Sequence, residues 1–317
     1  MRGRFDCRPT SSASTRKKAS VFPYVEINGT HLVDRALLEA RAYSPNSSLP
    51  RPFLRWAGSK RRLLSQIIPF IPSEFNKYHE PFLGSGAMFF LLCPARARLS
   101  DKCGELIDAY KVIRNSLPSI IRYLKPLKPD RALFYAYRTR PSRGKLKRVA
   151  EFLYLNKTCW NGLYRVNSEG RFNVPYGMPR SDFIANFDNL HVCSHVLNRP
   201  GVSLQSCDFE EALGNVEAGD LVYLDPPYIT RNNNGFIDYN ENLFSWQDQM
   251  RLARHAQSLA NVGAYVIITN ADNQEVMNLY KGFNCRILKR SSTLASNPGR
   301  RVRVTEAFLY SPNCTKG

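Results

Sequence analysis

No two of the eight cysteines in this 317-residue chain stand at Cys-x-x-Cys spacing, and the five histidines show no short ligand spacing. Neither a zinc site nor a dithiol redox centre is expected, and no metal is assigned. In a chain of this size with no signal peptide, free thiols in a reducing cytoplasm are expected rather than disulfides. Long hydrophobic runs are missing too. The longest uncharged apolar stretch, residues 81–95, is too short to span a bilayer and is broken by glycine and proline, so no membrane partner is expected. Internal repeats and low-complexity tracts are absent. Acidic residues are scarce: 26 Asp and Glu face 45 Lys and Arg, and the formal charge of +19 calls for a polyanionic partner.

The surplus charge is concentrated. Residues 121–180 hold 14 basic and 3 acidic residues (net +11), and residues 281–303 hold 7 basic and no acidic ones, so the two stretches carry 18 of the 19 charges. Aromatic and Asn residues interleave the first stretch, as on a nucleic-acid surface; the bland alternative is a solvated charge run. The first twenty residues are rich in Arg and Ser but have no apolar face, which reads as a disordered basic arm rather than a transit peptide.

With 43% hydrophobic residues the chain can bury a sizeable core. Strands are expected at 77–81, 97–101, 202–207, 220–224, 264–269, 284–289 and 303–310. Helices are expected at 60–70, 86–93, 103–116, 146–156 and 245–261, the last with Ser245 as its N-cap. This alternation predicts an α/β fold with a doubly wound, mixed, mainly parallel sheet. Residues 121–200 lack the alternation and read as an inserted, mostly helical domain between the catalytic segments 51–120 and 201–317. Residues 1–50 read as an N-terminal extension, partly disordered, with one short helix from Leu32 to Tyr43 and a linker over 44–50.

Two motifs carry chemistry. The apolar run Leu221–Leu224 stops at Asp225-Pro226-Pro227-Tyr228, because proline has no N–H for the ladder. At such a strand end a carboxylate, free carbonyls and an aromatic ring meet. They suit a flat substrate with an exocyclic amino group, although a Pro-rich turn with a buried tyrosine would read the same way. The second motif is Glu80-Pro81-Phe82-Leu83-Gly84-Ser85-Gly86 ahead of an apolar helix. Two glycines between strand and helix let the backbone approach a ligand, but the third glycine of the dinucleotide fingerprint and any Gly-Lys-Ser/Thr loop are lacking. Asp101, ending the next short strand, is spaced to accept from ribose hydroxyls. Together they suggest a nucleoside-bearing cofactor without a pyrophosphate.

An ordered set of six motifs now bears on the family. It runs from Phe53-Leu54-Arg55-Trp56-Ala57-Gly58-Ser59-Lys60 through Glu80–Gly86, Asp101, the block Phe152 to Arg165 and Phe172-Asn173-Val174-Pro175-Tyr176-Gly177 to Asp225–Tyr228. In content and order it resembles the Dam-type DNA adenine-N6 methyltransferases, from about residue 52 to about 311. That resemblance implies S-adenosylmethionine as cofactor and duplex DNA as partner, with the target adenine flipped from the helix. It implies Asp225, Pro226 and Tyr228 as catalytic residues. Trp56, Lys60, Phe82, Gly84, Gly86, Asp101, Asp208 and Asp225 are implied as cofactor contacts, with a helix N-cap explaining Asp208 nearly as well.

The same resemblance implies Arg55, Trp160, Asn161, Leu163, Arg165 and Pro175 as DNA contacts, reading GATC. Trp160 replaces the family's usual Tyr or Phe, Arg55 its common lysine, and Met178-Pro179 a more polar pair. A cytoplasmic monomer is expected, alone or beside a restriction endonuclease. An RNA or protein-amide methyltransferase, or an inactive DNA-binding relative, are the alternatives.

Overall fold

The computed structural model describes residues 22–43, 49–179, 181–228, 244–291 and 303–314. It begins with a hairpin, β1 (Tyr24–Ile27) and β2 (Thr30–Val33), closed by Asn28-Gly29. Both turn residues have positive φ, 48° and 82°, as this hairpin turn requires. Helix α1 (Arg35–Tyr43) follows, started by the Asp34 carboxylate accepting from Leu37 N–H. The helix therefore begins three residues after the expected start, because Leu32 belongs to a strand.

Residues 22–43 also dock firmly on the main body. Ala95 N–H donates to Nε2 of the fully buried His31, which leaves the proton on Nδ1 facing the Phe75 carbonyl, and Arg41 donates to the Phe90 carbonyl. The segment 60–70 is not one helix. Short α2 (Leu64–Ile67) lies between two 3₁₀ turns, the second carrying Pro69, whose missing N–H cannot continue an α-helical ladder. β3 (Glu74–Phe75) pairs with β2 to finish a small antiparallel sheet.

The large sheet starts at β4 (Tyr78–Glu80), followed by α3 (Ala87–Leu92) and β5 (Arg96–Asp101). Five helices come next: α4 (Gly104–Asn115), α5 (Leu117–Leu124), α6 (Arg131–Thr139), α7 (Lys145–Thr158) and α8 (Phe187–Leu197). The chain then alternates through β6 (Gly201–Ser206), α9 (Phe209–Leu213), β7 (Leu221–Leu224), α10 (Trp246–Asn261), β8 (Tyr265–Ala271) and α11 (Gln274–Leu279) to β9 (Asn284–Ser291) and β10 (Arg303–Tyr310). All seven strands lie within two residues of their expected bounds. Ser245 caps α10 as expected, in a full capping box with Asp248.

The strand order is β6-β5-β4-β7-β8-β10-β9, parallel except for β10, which runs antiparallel to both neighbours. Winding proceeds outward from β4 through β5 and β6, then resumes at β7 and moves the other way. The order thus reverses between β4 and β7, and ligands of open α/β sheets bind beyond the strand C-termini at such a point. Both sheet faces are covered. Leu221 and Tyr223 join one apolar core while Val222 and Leu224 join the other, which is why β7 reads as an unbroken apolar run. The first core continues without a break into α4, α5, α7 and α8. Among the described residues no helix is long and apolar enough to cross a membrane.

Candidate functional site

The switch point brings the two sequence motifs face to face, one after β4 and the other after β7. One oxygen of Asp225, Oδ1, takes all of the carboxylate's protein contacts among the described residues. Lys60 Nζ lies 2.7 Å away, Thr269 Oγ1 donates at 2.8 Å, and the Tyr228 hydroxyl sits at 3.4 Å. Asp225 Oδ2 and the Pro226 carbonyl receive no hydrogen bond from described residues. Burial raises the Asp225 carboxyl above its ordinary range, with the adjacent Lys60 ammonium pulling the other way.

The supports of this carboxylate come from segments distant in the sequence. Thr269, on β8, is fully buried and also touches the Tyr223 hydroxyl at 3.2 Å. Lys60, 3% exposed, donates to the Gly58 carbonyl at 2.6 Å and stands 4.6 Å above the Tyr228 ring centroid. Tyr228 donates its hydroxyl to Glu306 Oε2 of β10 at 2.7 Å. The Pro227 carbonyl accepts from the fully buried Gln249, itself oriented by Asn270.

Across the crevice, Gly84 has φ +46°, and a Cβ there would come within 2.8 Å of Trp56 Cδ1, so the indole lies directly on the turn. Asp101 ties the same turn down: Oδ2 accepts from Gly84 N–H and Oδ1 from Cys103 N–H, each at 2.9 Å. Burial pushes its carboxyl up to about 6 despite those two donors. Beneath it, Glu80 accepts from the Tyr78 hydroxyl at 2.8 Å, and burial holds its carboxyl well above the usual range. Phe82 packs between Phe209 and Phe244. Asp208 caps α9 through Glu210 N–H and pairs with Arg251 at 3.0 Å, so the helix-cap explanation holds for its Oδ1.

A cradle that only glycine can line, a carboxylate at a second strand end and a buried cation suit a nucleoside carrying an amino-acid tail. The turn offers no phosphate loop. Among the described residues no cluster of metal-ligating side chains forms, and seven free cysteines are scattered.

The third assembly is a hairpin-like excursion after α7. Trp160 N–H donates to the Pro175 carbonyl, Gly177 N–H to the Thr158 carbonyl, and Asn173 N–H to the Arg165 carbonyl. Arg165 Nε returns a bond to Asn173 Oδ1 at 2.7 Å. Gly162 has φ +65° and would place a Cβ 2.3 Å from that of Arg55, so Arg55 lies against the turn. The buried Asn156 side chain clasps the Arg55 backbone at both N–H (2.9 Å) and carbonyl (2.7 Å). Tyr164 stacks on Trp56 with ring centroids 5.2 Å apart, linking the hairpin to the glycine turn, and donates its hydroxyl to Glu105.

Trp160 is 47% exposed, and Arg55, Asn161, Arg165 and Pro175 are exposed as well. Leu163 is half-buried. The structure thus gathers the six sequence-identified residues of this group on or against one hairpin.

Of the basic run from the end of α6 into α7, Arg138 donates to the Val174 carbonyl and covers the Tyr135 ring, and Lys145 pairs with Asp108 at 2.6 Å. Arg140, Arg143 and Lys147 are exposed. In the second basic stretch Lys281, Arg286 and Lys289 are exposed, and residues 292–302 lie outside the described residues.

Sequence reasoning missed Asn156, Gln249, Thr269 and Glu306. The only local signal is a polar side chain interrupting an apolar run, as Thr269 does after Val266-Ile267-Ile268 and Glu306 does before Ala307-Phe308-Leu309.

A family model described as D12 class N6 adenine-specific DNA methyltransferase matches residues 56–294. The chain is 34% identical over 268 residues to the Type II methyltransferase M1.LlaDCHI of Lactococcus lactis subsp. cremoris, covering 82% of this chain and 94% of that protein. It is 38% identical over 262 residues to the Type II methyltransferase M.MjaIII of Methanocaldococcus jannaschii, covering 74% and 90%. With the DNA adenine methylase of Haemophilus influenzae it shares 31% identity over 267 residues, covering 81% and 92%.

Proposed function

The chain belongs to the D12 class N6 adenine-specific DNA methyltransferases, and on that premise we propose that it methylates N6 of an adenine flipped out of duplex DNA at GATC, using S-adenosylmethionine. The observation that supports this reading is the one-sided anchoring of Asp225, whose Oδ2, like the neighbouring Pro226 carbonyl, accepts no hydrogen bond from the described residues. The adenine amino group is a poor nucleophile because its lone pair is delocalised into the ring. Two acceptors on its N–H groups favour a tetrahedral nitrogen and localise that pair. Tyr228 stacks on the flipped base, whose extrusion costs a few kcal/mol. The bound cofactor supplies an electrophilic methyl group on a sulfonium. The proton leaves the amine after transfer, and no covalent enzyme intermediate is needed.

Lys60 is suited to the cofactor carboxylate, and Trp56, Phe82, Gly84 and Gly86 to its body. Asp101 takes the ribose, and the second oxygen of Asp208 the cofactor adenine. The helical segment 121–200 serves as the target-recognition unit, with Trp160 as a wedge in the base stack and Arg55 on the backbone. Asn161, Leu163, Arg165 and Pro175 read bases, in a protein acting as a cytoplasmic monomer. The Type II names of two relatives favour a partner restriction endonuclease as the setting.

Mapping methylated adenines in DNA from expressing cells tests the specificity. Modification confined to GATC is expected, and clustering in any other motif overturns the site while sparing the enzyme class. Arg165→Ala should relax the preference for the guanine it reads by roughly 1–3 kcal/mol, the value of one bidentate pair, more than it weakens non-specific binding.

Asp101 makes cofactor binding depend on pH. Ribose hydroxyls donate to the ionised carboxylate, so affinity should weaken as pH falls through about 6, approaching about tenfold per unit. The stability effect has the opposite sign. A carboxyl raised from 3.8 to about 6 on folding costs stability while ionised at neutral pH, and this cost fades as pH falls from about 6 towards 4. Titration calorimetry with S-adenosylhomocysteine checks the binding half: an affinity that stays level on both sides of pH 6 would remove Asp101 from the ribose site.

A further inference from the structure

Glu306 sits on β10, the strand next to the edge of the large sheet, 1% exposed, opposite Ala271 at the end of β8 and Leu288 of β9. The next three residues of its strand, Ala307, Phe308 and Leu309, are buried and apolar. A carboxylate is costly there unless it is paired. Its partners include the Tyr228 hydroxyl at 2.7 Å and, more loosely, the Lys60 ammonium at 3.7 Å. The phenol has one proton to give. The 2.7 Å bond to Glu306 is a full charge-assisted hydrogen bond, whereas the 3.4 Å approach to Asp225 is at the limit of one.

We infer that Glu306 is a positioning residue for methyl transfer: it claims the Tyr228 hydroxyl, fixes the ring by its far end and keeps that donor off Asp225. This rests on the function proposed above. Asp225 Oδ1 already takes Lys60 and Thr269. Without Glu306 the nearest acceptor for the phenol among the described residues is that same oxygen. The ring then tilts away from the plane in which a base can stack, and a third donor draws charge from the carboxylate, weakening Oδ2 as acceptor for the adenine amine. Glu306 touches neither base nor methyl group in this scheme, so its loss should appear in turnover and not in cofactor affinity. Lys60 keeps Asp225 and the Gly58 carbonyl in either case.

The test is a mutant cycle on the full-length protein with two readouts, kcat on duplex DNA and the dissociation constant for S-adenosylhomocysteine. Glu306→Ala should lower kcat about tenfold to a hundredfold, the size of a lost charge-assisted hydrogen bond, and leave the dissociation constant within about twofold. Tyr228→Phe should lose a similar factor. The double variant should fall no more than about threefold below the worse single variant, because both remove the same bond. Glu306→Gln, whose amide oxygen can still accept, should keep kcat within about tenfold of the parent.

Wild-type kcat in Glu306→Ala, or losses that multiply in the double variant, would overturn the inference. Should the alanine variant fail to fold, the glutamine variant serves: its loss must vanish on the Tyr228→Phe background, and persistence there overturns the assignment equally. A parent protein inactive on duplex DNA would instead sink the functional reading. An active parent with an indifferent Glu306 sinks this inference alone.

Discussion

Asp225→Ala is expected to bind S-adenosylmethionine yet methylate duplex DNA at least about a thousandfold more slowly than the parent, the order of effect seen when a preorganised polar group at a reacting centre is removed. The substitution deletes Oδ2, the open acceptor, together with the oxygen that organises Lys60, Thr269 and Tyr228. It leaves Gly84, Asp101 and Trp56 untouched on the other side of the crevice. Lys60 retains the Gly58 carbonyl at 2.6 Å and has Glu306 within 3.7 Å, so the buried ammonium is not stranded. Transfer of a tritiated methyl group, set beside calorimetric titration of S-adenosylhomocysteine, separates the two effects. Turnover close to that of the parent would show that Asp225 is not the acceptor. Asp225→Asn keeps one acceptor oxygen, for Thr269 or for the amine but not for both, and drops the charge, so it should fall between the two.

The second large effect concerns DNA. Reversing Arg140, Arg143 and Lys147 to Glu should weaken binding to every sequence roughly a hundredfold at low salt and flatten the slope of log K against log salt by about three, one unit for each lost phosphate contact. The choice of residues comes from the structure. Arg138 braces the Val174 carbonyl and Lys145 pairs with Asp108, so changing either would disturb the fold around α6 and α7 as well as the surface charge. Arg140, Arg143 and Lys147 are exposed, and their reversal acts on the field alone. An unchanged salt slope would show that this run is a solvated face, and would leave DNA binding to the hairpin around Trp160 and to the basic residues of β9.

Much of this protein was legible in one dimension. The seven strands of the large sheet could be read because short runs of β-forming residues recur along the chain, continuous and apolar where both faces are covered, as in β7, and alternating at the edge, as in β6, and because Asp-Pro-Pro and Gly-x-Gly stop such runs sharply. The glycine turn, the Asp225 motif and the exposed hairpin residues could be singled out for a related reason: each is a local cluster of residue types with a distinctive spacing. The N-terminal hairpin was less visible. Its strands are four residues each and only partly apolar, although Asn28-Gly29 was a turn signal that could have revealed it.

Local sequence therefore determined which segments become strands and helices, where they end, and which side chains stand at those ends. The tertiary fold alone decided that Lys60, Thr269 and Glu306, separated by as many as 246 positions (306 − 60), close around the Asp225-Tyr228 pair. It likewise decided that Asn156 clasps Arg55 across 101 residues, holding the hairpin beside the glycine turn. The physical reason is the winding of the sheet. Reversal of strand order between β4 and β7 opens one crevice at the strand ends, and insertion of an antiparallel β10 beside β8 carries a carboxylate into its floor. Neither event leaves a mark in local composition, because a single Glu or Thr in an apolar strand looks the same whether it lies beneath a site or only among its neighbours.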